Sequence, residues 1–275
     1  GTHKMFPVRN YDKVRYASPV TETLPWMLNI LPYLDQQPLF DQWVMGGVRD
    51  AGGNQVGWWE GPNKDLIGTV IPQYLSASTP FEPKWTHAAV GIEVARTDFY
   101  APYSSGLGSL ASEFPPNAHR FVGGMVHADG DNTEAGEELS FRAVRDGTTN
   151  TLGIVEMAGL PEPHHAPLSG AGPFFKLAVF GNPPQPSNFL QVDGFWAGRN
   201  AMDFNPQGFS QMGLGNCGIN CANFGRAYGS LYSFHPGGAH ALVADGSVQF
   251  LSESMDNLNL LRLLIRNDGQ TVEGF

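Results

Sequence analysis

The stretch "YSFHPGGAHALVADGSVQFL", residues 232–251, sets the frame for the rest of the chain. Residues 239–244 are small and mostly apolar, and Val248, Phe250 and Leu251 resume the apolar pattern after Asp245-Gly246. Asp-Gly between two such runs is the strongest short hairpin signal, because a two-residue type I′ loop needs positive φ at both positions. A β-hairpin with Asp245 and Gly246 as its loop is therefore expected. Pro236-Gly237-Gly238 turns the chain into the first strand. His235 stands just before that turn, where its ring is expected to hydrogen-bond structurally and not to hold zinc. Ser233, His235 and Asp245 supply the residue types of a nucleophilic triad, but the nucleophile elbow that would expose the serine is missing.

Downstream, "SMDNLNLLRLLIRNDGQ" predicts a short helix capped by Ser254 or Asp256. Leu258, Leu261 and Leu264 lie on one face, and Asn267-Asp268-Gly269 ends it. Upstream, "LSFRAVRDGTTNTLGIVEMAG" predicts strand, turn and strand. Asp146-Gly147 makes the turn, Asn150 bonds local backbone, and residues 151–157 alternate. Glu156 has no partner carboxylate at a suggestive spacing and is expected to be a buried structural acid. Nearer the start, "TETLPWMLNILPYLDQQPLFDQW" carries helical spacing at Trp26, Ile30, Leu31 and Leu34. Thr23 is the expected N-cap, with Pro25 in the first turn. Pro32 should kink or end the helix, and Pro38 should open a second short turn that buries Leu39, Phe40 and Trp43. "TVIPQYLSAS" predicts a strand leading into a turn, within a region from 46 to 140 that is mostly loop and short strand.

The composition agrees with a turn-rich, β-rich chain. Among 275 residues there are 34 glycines and 21 prolines, and charged residues make up only 15%, against roughly 25% in an average domain. No linker or strict repeat appears, so residues 1–275 are expected to form a single domain with elaborated loops. Sixteen basic against 26 acidic residues leave a net charge of −10 without a basic run. Nucleic-acid binding, which needs a cationic footprint, is excluded on this ground. No apolar run is long enough to span a membrane, and no signal-peptide pattern is read at residue 1, so the expectation is either a cytosolic chain or a sequence that starts after an export segment.

Several groups carry candidate chemistry. Cys217 and Cys221 either pair as a small disulfide or remain thiols, and a metal site would need a second pair. Asp129, Asp131 and Glu134 resemble part of a calcium loop but lack the full ligand ladder. Calcium is thus the candidate cofactor for this cluster, and a solvated acidic loop is the plain alternative. His164-His165 is a candidate zinc pair in a Pro-rich loop. Trp58 and Trp59 offer an aromatic surface for a sugar or a partner, or cover the edge of a core.

A family resemblance runs through the same residues. His235, nine residues, then Asp245-Gly246 resembles the C-terminal signature of an expanded planctomycete family of prepilin-like proteins of unknown function. "WMLNILPYLDQQPLFDQW" resembles that family's N-terminal helix. "RDGTTNTLGIVEMAG", with Asp146, Gly147, Asn150 and Glu156, resembles its strand pair, and "LLRLLIRNDGQTV" its closing helix and tail. Where the family often has Cys-Pro-Ser, this chain has "YLSAST" around Ser76, so no disulfide forms from that position. The resemblance implies an α+β, pilin-like fold in which an N-terminal helix, truncated here, packs on an antiparallel sheet with long loops. It implies export to the periplasm or cell surface, with an inner-membrane anchor through the missing helix. It further implies a non-catalytic pseudopilin-like subunit without a cofactor, whose partners are other pilin-like subunits or secretion machinery. The soluble part alone is expected to be a monomer. The rival readings are an extracellular carbohydrate- or surface-binding module, and a metal-dependent hydrolase using His164, His165, His235 or His240.

Overall fold

The computed structural model describes residues 25–44, 61–87, 91–105, 108–114, 140–160, 164–165, 175–176, 194–198, 201–204, 218–221, 223, 230–272 and 274–275. Trp58, Trp59, Asp129, Asp131, Glu134 and Cys217 lie outside the described residues, as does Thr23. The fold is α+β. No helix among the described residues is long and apolar enough to cross a membrane.

At the centre is a five-stranded sheet. Its members are β3 (Phe99–Ser105), β4 (Leu152–Glu156), β7 (Ala201–Phe204), β8 (Gly238–Val243) and β9 (Val248–Ser252), in the order β7-β3-β4-β8-β9. The pairings are antiparallel except β3 with β7, which run parallel, so the sheet is mixed at one edge and not wholly antiparallel. Two small antiparallel pairs stand apart: β1 (Lys84–His87) with β2 (Ile92–Ala95), and β5 (His164–His165) with β6 (Phe175–Lys176).

The sheet divides two apolar clusters by the period-2 alternation of its strands. Tyr100, Val155, Ala239, Ala241, Val243 and Leu251 pack with α3 (Asn257–Leu264), which contributes Leu260, Leu261, Leu263 and Leu264. Asp256 is the N-cap of α3, its carboxylate accepting from the N–H groups of Leu258 and Asn259 at 2.9 and 3.3 Å. The helix ends at Leu264, earlier than Asn267-Asp268-Gly269. On the other side, α1 (Trp26–Ile30) and α2 (Gln37–Gln42) pack with Ile67, Ile71, Val94, Phe195 and Trp196. Pro32 does end α1, which passes into a 3-10 turn at Leu31–Leu34. Pro25 is the N-cap itself and not a first-turn residue. Trp26, Met27, Leu28 and Leu31 are wholly buried, each contributing roughly 1.5–3 kcal/mol relative to exposure.

Three local expectations are corrected. Residues Pro72–Tyr74 form a 3-10 turn where a strand was expected, since Pro72 removes a ladder donor and Tyr74 instead bonds the Met27 carbonyl at 2.7 Å. Residues Phe141–Ala143 are also 3-10, so Asp146-Gly147 joins a helical turn, not a strand, to β4. The β8–β9 loop has three residues, not two. Val243 accepts from Gly246 and donates to Ser247, and Gly246 has φ 93° while Asp245 does not enter the positive region. This is a turn followed by a glycine bulge. The Asp245 carboxylate accepts from the Ser247 N–H at 2.8 Å, which holds its pKa below the usual range.

Candidate functional site

The family-like motifs separate in space into two groups. Asp146, Gly147, Asn150, Asp245 and Gly246 meet at one end of the sheet. Asp146 accepts from the N–H groups of Asp268 and Gly269, both at 2.8 Å, which ties the C-terminal segment to the turn. Asn150 Nδ2 donates to the Asp146 carbonyl at 3.3 Å, and Asp245 N–H to the Thr148 carbonyl at 3.1 Å. Every one of these contacts is architectural. Asp268 lies buried beside Asp146. Burial first, then the neighbouring carboxylate, pushes its pKa up to about 6.

Glu156 and His235 meet at the other end, joined by His240. Glu156 is the last residue of β4 and is 1% exposed. Its pairing neighbour β8 brings His240 alongside, on the sheet face opposite α3, because Ala239 and Ala241 take the α3 side. The His240 backbone N–H donates to Glu156 Oε2 at 2.9 Å, and His240 Nδ1 stands 3.5 Å from the same oxygen. His235 Nε2 lies 3.9 Å from Glu156 Oε1. The two imidazoles meet edge to face at 4.7 Å between centroids, and Phe250 packs on His240 at 5.0 Å. One ligand-type atom from each of Glu156, His235 and His240 lies within 4.8 Å of the other two.

A scaffold of hydrogen bonds fixes these groups. The hydroxyls of Ser76 and Ser78 donate to Glu156 Oε1. The Ser76 N–H in turn donates to buried Asp98 at 2.9 Å, and Asp98 also accepts from Gly159 N–H at 3.1 Å. Burial raises the pKa of Asp98 against the opposing pull of these bonds. On the histidine side, Asn220, with φ 58°, accepts from Ser233 N–H at 2.9 Å and donates toward the carbonyls of His235 and Gly238. Ser233 Oγ donates to the Gly238 carbonyl at 2.6 Å and accepts from His235 N–H at 3.1 Å. Ser233 is therefore committed to the turn, and Asp245 sits at the opposite end of β8. No Ser-His-Asp triad forms from these three.

The cluster lines a largely apolar pocket of about 290 Å³ with Ser76, Leu75, Phe99, Ile154, Leu242 and Val248. The sheet face here is only partly roofed by the α1–α2 side, and Val248 and Phe250 remain 63% and 46% exposed. Cys221 is disulfide-bonded. His164 and His165 form the short β5. Ser76 and Ser78 are the residues that pattern reading did not place at the site; His240 was named with His235, but only among the four histidines of the metal-hydrolase reading. The alternation Ala239-His240-Ala241 was the available signal, because it sets a histidine on the face opposite two alanines.

Residues 1–258 match the model of one protein family, described as "Protein of unknown function (DUF1559)". No curated protein and no solved structure matches the chain.

Proposed function

This chain belongs to the DUF1559 family, and we propose that it is the globular head of a pilin-like, non-catalytic subunit displayed outside the inner membrane. The observation that carries this reading is the packing of the N-terminal helical segment. Trp26, Met27, Leu28 and Leu31 are wholly buried on one face of the sheet, and the Trp43 ring lies 5.7 Å from that of Trp196, tilted by 57°. A helix locked onto a sheet in this way suits a head built on a helical stem. A disulfide at Cys221 accords with an oxidising compartment.

The test is the address of the native gene product in its own cell. Fractionation should recover it from the membrane or from sheared surface material, and crosslinking should join it to pilin-like subunits. Recovery from the cytosol alone would overturn the proposal. Light scattering on the 275-residue chain should give a monomer or weak dimer, since a net charge of −10 opposes close self-packing at low salt.

A further inference from the structure

We propose that Glu156, His235 and His240 form a binding site for one first-row divalent transition-metal ion, with zinc the best match. The donor set is two imidazoles and one carboxylate. That set suits zinc and its neighbours and disfavours calcium and magnesium, which take oxygen ligands throughout.

Three observations support the site independently of one another. The first is convergence. Glu156 ends β4, His240 lies in β8, and His235 precedes the turn into β8, yet their ligand-type atoms lie within 4.8 Å of each other. Around a tetrahedral zinc with bonds of about 2.0–2.1 Å, ligand atoms stand about 3.4 Å apart, so the rings need to close by roughly 1.5 Å or less. The imidazoles are free to do so, because their side chains are 33% and 41% exposed at the rim.

The second is charge. Glu156 is 1% exposed, and among the described residues the ion-pair partners within reach are the two histidines. A buried carboxylate with no lysine or arginine beside it is costly unless a cation joins it. A metal ion supplies that cation and uses the neutral imidazoles as ligands.

The third is the support around the carboxylate. Metal-binding carboxylates are held by hydrogen bonds from outside the coordination sphere. Here the hydroxyls of Ser76 and Ser78 and the N–H of His240 all donate to Glu156 and fix its plane. The Ser76 turn is itself anchored by Asp98. Three protein ligands leave a fourth position, which opens to the pocket lined by Leu75, Phe99, Ile154, Leu242 and Val248. Water or one donor atom of a small, largely apolar ligand fits there.

The experiment uses the whole 275-residue chain, stripped with a chelator and then titrated with zinc chloride by calorimetry at pH 7.5. A parallel titration with cobalt(II) reads the coordination geometry from its visible absorption. The expected result is one ion per chain, a Kd of micromolar or tighter, and a cobalt spectrum of the intense, four- or five-coordinate type. His235→Ala and His240→Ala should each weaken binding tenfold or more, and so should the near-isosteric Glu156→Gln. Melting curves will show which variants fold. If Glu156→Gln does not, the two rim histidine variants decide, because their side chains are partly exposed. His164→Ala/His165→Ala should leave the affinity unchanged. The proposal is overturned by a folded wild-type chain that takes up no stoichiometric zinc, by binding that survives both His235→Ala and His240→Ala, or by binding that follows His164 and His165 instead.

Discussion

Gly238→Ala tests the junction between the fold and the pocket. Gly238 opens β8 opposite Ser252, and a Cβ there would stand 2.9 Å from Phe250 Cε1, 3.0 Å from the Leu251 carbonyl carbon, and closer still to its oxygen. The obstacle is backbone, and Leu251 is wholly buried in the α3-side core, so neither can rotate aside. Non-bonded carbons settle near 3.5–4.0 Å, which requires the strand ends to part by roughly 1 Å. Parting them breaks the Glu253 N–H bond to the Gly237 carbonyl at 2.8 Å, weakens the Ser233 bond to Gly238 at 2.6 Å, and frays the Gly238–Ser252 pair. At about 0.5–1.5 kcal/mol for each bond, the loss is about 2–4 kcal/mol. The lower chain entropy of alanine in the unfolded state offsets about 0.4–1 kcal/mol of that. A net loss of about 2–3 kcal/mol lowers Tm by roughly 4–10 °C in a chain of this size. Thermal melting measures the loss, and amide hydrogen exchange locates it at Ser252 and Glu253. Gly246→Ala is the control: its Cβ would meet nothing within 4 Å, although φ is 93°, so its cost is conformational and Glu253 should stay protected. A Gly238→Ala protein that melts within a degree of the wild type, with the Glu253 amide still protected, refutes the argument.

Asp256→Ala removes the only side-chain cap of α3 and should cost about 1 kcal/mol in urea unfolding, with a range of roughly 0.5–2; an unchanged midpoint would show that α3 is held by its leucines alone. Asp268 has a raised folded-state pKa, so it favours folding below the unfolded carboxylate pKa and loses that contribution as pH rises through about 6. Asp268→Asn should therefore gain in Tm relative to the wild type between pH 4.5 and 7.5, and a difference that stays constant across that range would contradict the raised pKa that burial, and then Asp146, impose.

Elements whose reading rests on local rules were legible. Pro32 and Pro38 mark the break in the N-terminal helical segment, and Asp256 caps α3, because capping and proline sterics act within one turn. The errors arise where distant contacts override local preference. Ile71 and Tyr74 look like strand residues, yet Ile71 fills the core beside α1 and Tyr74 reaches the Met27 carbonyl 47 residues away. Residues 151–157 were expected to alternate, but β4 is central in the sheet and packed on both faces, so all but Ile154 are buried. The β8–β9 loop was assigned two residues because Asp-Gly commonly forms type I′ turns. Val243 pairs with Ser247 instead, and the extra residue is absorbed as a bulge at Gly246.

The site was half legible for a related reason. His235 and Glu156 were both singled out, each assigned its own structural role, because 78 residues separate them and no local rule joins residues so far apart. What joins them is strand pairing. The antiparallel register sets Val155 opposite Ala241, which fixes Glu156 beside His240, and the Pro236-Gly237 turn folds His235 back over the same edge. Ser76 enters from a third segment, held by Asp98 just before β3. The clue that topology converts into a site is a polar residue at a strand position whose neighbours are apolar. Glu156 among Val155 and Met157, and His240 between two alanines, both meet that description, and period-2 geometry then places them on one face. The same reasoning separates the two sets of family-like residues. Asp146, Gly147, Asn150, Asp245 and Gly246 spend their hydrogen bonds on backbone and close one end of the sheet. Glu156, His235 and His240 instead bring ligand-type atoms within 4.8 Å of one another at the lining of a pocket.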